Sequence, residues 1–191
     1  MPTTPHDTRL TYADFLLFPD DDRLRHEIID GVHYVTAAPN LRHQELVLRL
    51  GLALGVHLED RPDRGRLFMA PFDVVFSFHD IVEPDVIFVA PDQIDILTAK
   101  NIQGTPAMVI EILSPSTRKR DRQIKRQLYE RGGVREYWLV DPDANAVTIY
   151  RRQSDGSFPP IATLSSDGQD TLTTPLLPEW SLDLKRLFRD P

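Results

Sequence analysis

At 191 residues the chain is long enough for one domain with a sizeable core, and two full domains would be cramped. Its 41% hydrophobic and 27% charged residues describe an ordinary soluble globular chain, and the lack of cysteine excludes a disulfide framework, a thiol nucleophile and thiolate-bound zinc. A net charge of −7 argues against a surface coated for nonspecific nucleic-acid binding, because phosphate contacts come from Lys and Arg.

The N-terminal stretch "MPTTPHDTRLTYADF" has no apolar run of signal-peptide length. No segment approaches the roughly 20 apolar residues that cross a bilayer, so a cytoplasmic protein with no membrane association is expected. "TYADFLLF" (11–18) predicts a short amphipathic helix ending at Pro19. "RHEIIDGVHYVTAA" (25–38) predicts a hairpin, with the tight-turn pair Asp30-Gly31 between two β-rich runs. "NLRHQELVLRLGLALGVHLED" (40–60) is the clearest helix, with Asn40 as N-cap and Leu46, Leu50, Leu54 and Leu58 at helical spacing. Gly51 and Gly55 fall on its other side.

Strands follow at 66–78, interrupted by Pro71, and at 85–90. The apolar run "AMVIEIL" (107–113) has the composition of a central buried strand. "DRQIKRQLYERG" (121–132) predicts a helix stopped by Gly132-Gly133. Strands at 134–140 and 146–152 come next, then short strands broken by Pro and Gly, and a last helix near "SLDLKRLF". The sum is a single α/β or α+β domain built on a mixed sheet.

Charge is unevenly spread. From Arg118 to Arg131, seven basic residues face two acidic ones, a local +5 that leaves −12 for the remainder. A solvated helix face accounts for such a run, and so does a phosphate approach.

Two carboxylates sit where solvent should not reach. Asp85 opens a strand and Glu111 lies inside "AMVIEIL", and an ionised carboxylate in apolar surroundings needs a partner. Adjacent strands can bring such carboxylates together, and a hard divalent metal is the natural counter-charge. Asp121, Lys125 and Tyr129 recur every four residues and share one helix face. They read either as a surface pair plus a core aromatic, or as a Lys125 ammonium sent to the carboxylates. Glu27, in "RHEIIDG", is a further carboxylate in an apolar strand.

The ordered set "RHEIIDG", "LRHQELV", "EPDVIFV" and "VIEILSPSTRKRDRQIKRQLYERGGVREYWLVDP" resembles the bacterial Uma-type restriction endonucleases of the PD-(D/E)XK nuclease superfamily. The likeness runs over roughly residues 10–150, and 109–142 is its most specific part. It implies a restriction-endonuclease-like mixed β-sheet flanked by helices. It equates Pro84-Asp85 with the superfamily's "PD" and Glu111 with its "(D/E)", which with the Ile112 main-chain carbonyl would bind Mg²⁺, or Mn²⁺ in its place. The usual pattern would put a lysine where this chain has Leu113. In the Uma-type group that lysine has moved to the following helix, which points to Lys125.

The resemblance makes Glu27 an accessory ligand or water contact and His43 either a site residue or a helix-entry residue bonding the backbone. Asp121 and Tyr129 stand as accessory residues. The implied activity is metal-assisted hydrolysis of DNA, with Arg118, Lys119, Arg122 and Arg126 guiding the backbone. Ser114, Ser116 and Thr117 would donate to phosphate oxygens, although "SPST" equally reads as a loop whose Ser or Thr caps the helix. A homodimer is a further expectation, with edge strands of the C-terminal third as its candidate interface. Two rivals stand beside this reading: a non-cleaving module on the same fold, and a hydrolase of small phosphoesters. The chain has no glycine-rich phosphate loop to support an ATPase.

Overall fold

The computed structural model describes residues 8–19 and 24–189. After the short helix α1 (Tyr12–Phe15) comes the hairpin of β1 (Leu24–Ile29) and β2 (Val32–Ala37), then the long helix α2 (Leu41–Glu59). Strands β3 (Arg66–Met69), β4 (Val74–Ser77), β5 (Asp80–Val82), β6 (Val86–Val89), β7 (Ile102–Gln103) and β8 (Met108–Ile112) lead to a helical rod. The rod is α3 (Arg118–Arg120), a π-helical turn (Asp121–Lys125) and α4 (Arg126–Gly132). Strands β9 (Glu136–Asp141), β10 (Ala146–Arg151), β11 (Pro160–Ser165), β12 (Thr171–Thr173) and β13 (Ser181–Asp183) precede α5 (Leu184–Phe188).

Six strands form a mixed sheet in the order β11-β10-β9-β8-β6-β3. Its parallel pair, β8 with β9, is joined by the helical rod, as a parallel crossover requires. A second sheet runs β2-β1-β5-β4-β7, and β12 pairs with β13. The expected mixed sheet flanked by helices is therefore present, and a five-stranded sheet is added to it. The run at 66–78 breaks at Pro71 into β3 and β4, which belong to different sheets.

Side-chain alternation along the central strands buries both faces of the six-stranded sheet. Val86, Phe88, Met108, Ile110, Ile112, Trp138 and Val140 face α2 and the C-terminal segment. Ile87, Val89, Val109, Leu113, Tyr137 and Leu139 face α4 and the five-stranded sheet. The leucine ladder of α2 packs as its spacing predicts, with Leu46, Leu50 and Leu54 fully buried. Each contributes roughly 1.5–3 kcal/mol of apolar burial. Gly51 lets α2 lie against β3, since a Cβ there would sit 2.4 Å from the Met69 sulfur.

The turn pair Asp30-Gly31 takes φ of 53° and 75°, the left-handed conformation such a tight hairpin needs. Asn40 caps α2 by accepting from the His43 N–H at 2.9 Å. Both local signals place site residues: the hairpin carries Glu27, and the first turn of α2 carries His43. Among the described residues, no helix is long and apolar enough to cross a membrane.

Candidate active site

Glu111 shares the Val109/Leu113 face of β8, so its carboxylate points into the layer beneath the helical rod. Strand β6 runs antiparallel to β8 with Val86 opposite Ile110, which puts Asp85, one residue before β6, beside Glu111. The π-helical turn widens the rod where Asp121 and Lys125 turn inward, and both are buried. Such a turn inside a helix is common where a side chain must be re-aimed at a site.

Lys125 is the hub, with 1% of its surface exposed. Its Nζ lies 2.7 Å from Glu27 Oε1 and 2.8 Å from Glu111 Oε1. Tyr129, one turn on, donates its hydroxyl to the same Glu111 oxygen at 2.5 Å. An ammonium has three donors, so one N–H of Lys125 is left for the cavity that it lines. Burial opposes the charge of Lys125, but Glu111, Glu27 and Asp121 outweigh it and raise the pKa above the ordinary lysine value. Lys125 is a fixed cation.

Asp85 is held from three sides. Arg25 Nη1 donates to Oδ1 at 2.9 Å, His43 Nε2 lies 3.1 Å from Oδ2, and the Ile112 N–H donates to Oδ2 at 2.8 Å. Burial would lift its pKa, yet His43, Arg25 and the Ile112 amide together hold it down at about 2. Glu111 behaves oppositely. Burial pushes it up to about 8, Lys125 resists, and Asp121, Asp85 and Glu27 add to the rise. Asp121 is raised as well, chiefly by burial.

The donor set suits a hard divalent cation. Four acidic groups (Glu27, Asp85, Glu111, Asp121) face three permanent cations (Arg25, Arg120, Lys125), so ionising Glu111, whose pKa burial has raised, leaves one negative charge for a cation to meet. Asp121 Oδ1 is buried without a hydrogen-bond partner among the described residues. Asp85 Oδ1 takes only the Arg25 bond, so it keeps a free lone pair. Among the described residues no three His, Asp or Glu side chains surround one point as ligands. A cation here would rest on two carboxylates and a main-chain carbonyl, a pattern normal for Mg²⁺, which retains several waters.

The site opens through a cavity of about 160 Å³. It is lined by Ala37, Ala38, Pro39, Ser114, Pro115 and Ser116 together with the buried Asp85, Glu111, Asp121 and Lys125. Ser114 and Thr117 close on each other, Oγ to Oγ1 at 3.0 Å, while Ser116 stays on the exposed rim. Thr117 makes no side-chain cap to the helix, so Ser116 and Thr117 do not serve the rod as N-caps.

The basic run is largely committed within the chain. Arg118 pairs with Asp141 at 2.6 Å and Asp143 at 2.5 Å, Arg122 with Asp141 at 2.9 Å, and Arg126 with Glu130 at 3.1 Å. Arg131 meets Asp80 at 2.5 Å. Arg120 turns inward to Thr36 at 2.6 Å and Glu27 at 3.4 Å. Lys119 is exposed and has no ion pair among the described residues.

Two participants escaped the sequence reading. Arg25 stands two residues before Glu27, on the same strand face, and that period-two pairing of opposite charges was the available signal. Arg120 was hidden among solvent-facing neighbours, and only its buried environment separates it from them.

Comparison with known proteins adds the following. The family described as "Uma2: Putative restriction endonuclease" matches residues 12–185. An uncharacterized protein of Synechocystis sp. is 27% identical over 154 residues, covering 78% of each chain. A crystal structure from Anabaena variabilis, described as a putative nuclease belonging to DUF820, superposes with a TM-score of 0.77 at 22% identity. That superposition covers 94% of this chain and 97% of the other, and shows a shared fold.

Proposed function

Because the chain belongs to the Uma2 family, described as "Putative restriction endonuclease", we propose that its buried carboxylate–lysine site hydrolyses DNA phosphodiester bonds with a divalent cation. The observation that carries this reading is the juxtaposition of Asp85 and Glu111 on neighbouring strands with the Lys125 ammonium 2.8 Å from Glu111. Asp85, Glu111 and the Ile112 carbonyl would hold Mg²⁺, or Mn²⁺ in its place. When bound, such a cation polarises a phosphate oxygen and acidifies a coordinated water.

The chain's own groups supply the rest. Lys125 stays protonated, so it acts as a donor and fixed positive charge toward the attacking water or the phosphate, and not as a base. Glu27 and Tyr129 lock the Lys125–Glu111 geometry. Arg25 and His43 fix the Asp85 carboxylate, whose Oδ1 keeps a lone pair for a cation. Ser116 on the rim and Lys119 nearby would contact the backbone.

A cavity of about 160 Å³ is well below the roughly 300–1,000 Å³ of sites that enclose a small ligand. This favours a substrate that reaches the site with one phosphate over one that is enclosed whole. The non-cleaving alternative draws on one observation, that Asp85 is already held by Arg25, His43 and an amide. Incubation of the protein with supercoiled and single-stranded DNA in Mg²⁺ or Mn²⁺ separates the two. Cleavage that Asp85→Asn abolishes supports the nuclease; both DNAs left intact by wild-type protein favours the non-cleaving module.

A further inference from the structure

We propose that this cleft accepts an unpaired nucleic-acid strand, such as a single strand or the tail of a duplex, in preference to continuous duplex. The inference rests on the nuclease reading and concerns the form of its substrate.

Depth is the first observation. Glu27, Asp85, Glu111, Asp121 and Lys125 are each at most 2% exposed, so a reacting phosphate must descend below the rim. The opening holds about 160 Å³, room for a phosphodiester group but not for a base pair. Pro39 and Pro115 both line the opening, and their fixed φ stiffens the segments that carry them. A phosphate in a duplex is held in place by stacking and pairing of its own nucleotide. Drawing it out costs a few kcal/mol, whereas an unpaired strand bends at little cost.

The second observation is the scarcity of uncommitted cations. Duplex binders neutralise roughly 6–10 phosphates. Here Arg118, Arg122, Arg126 and Arg131 already meet Asp141, Asp143, Glu130 and Asp80. On α2, Arg42 and Arg49 are bound to the main-chain carbonyls of Phe188 and Leu187. What reaches the cleft is Arg25 and Arg120 on its lining, both already paired with the site carboxylates Asp85 and Glu27, and Lys119 one residue away. Three cations at most suit a short length of single backbone.

The test uses one oligonucleotide as a single strand, as a blunt duplex, and as the duplex with an unpaired tail. Binding is followed by fluorescence anisotropy with Ca²⁺ replacing Mg²⁺, and cleavage is mapped with Mn²⁺. The single strand and the tailed duplex should bind at least about tenfold more tightly than the blunt duplex, with a salt slope near −2, the value for about three phosphate contacts. Cuts should fall in unpaired nucleotides. Equal or tighter binding of the blunt duplex, or binding of none of the three, overturns the proposal. A strand preference in binding with no cleavage of any substrate upholds it and removes the nuclease reading alone.

Discussion

Replacing Lys125 with methionine keeps the volume of the side chain and deletes its charge. In the folded chain that ammonium is 1% exposed and touches Glu27 at 2.7 Å and Glu111 at 2.8 Å. Without it, those carboxylates keep, among the described residues, only Tyr129, Arg120 and the Glu83 amide. Removing one partner of a buried ion pair costs about 3–5 kcal/mol, because the remaining charge is stranded. For a chain of this length each kcal/mol moves Tm by about 2–4 °C, so Lys125→Met should melt about 6–20 °C lower. The loss should be smaller in mild acid, where Glu111, already pushed up to about 8, takes up a proton and sheds its charge. Adding Glu111→Gln to Lys125→Met should recover part of the lost stability for the same reason. Thermal melts by circular dichroism in EDTA, in mild acid and in mild alkali, provide the test. A Lys125→Met melt indistinguishable from wild type at both pH values would refute the claim that Lys125 neutralises the site.

Two further outcomes follow from the same structure. Glu111 binds its proton more tightly folded than unfolded, so its contribution to stability is complete below about 4.5 and lost as pH rises through about 8. Metal-free protein should therefore lose stability as pH rises across that window, and urea midpoints should show a flatter profile for Glu111→Gln. Gly65 has φ of 114°, and a Cβ there would lie 2.5 Å from the Val89 carbonyl. Gly65→Ala should therefore cost about 1–3 kcal/mol in urea unfolding while leaving metal binding unchanged.

Much of the scaffold was legible because its signals are local. Asp30-Gly31 demanded a left-handed turn, Asn40 announced a helix start, and the leucine spacing of α2 predicted its buried face. Glu111 was legible because a carboxylate inside "AMVIEIL" contradicts its neighbours. Strand β5 was missed because three residues are too few to show a period. The π-helical turn left no trace, since Asp121, Lys125 and Tyr129 repeat every four residues in either kind of helix. Arg25 was missed because its partner Asp85 lies 60 positions away. The pairing of the basic run was not legible for a related reason: Asp80, Asp141 and Asp143, which meet it, come from other strands and turns.

The proposed cation site among the buried carboxylates around Lys125 is tested most directly by calorimetric titration with Mn²⁺. Wild-type protein should bind Mn²⁺ and release protons as Glu111 ionises, whereas Glu111→Gln should lose both the binding heat and the proton release. Equal Mn²⁺ binding by the two proteins would contradict the account.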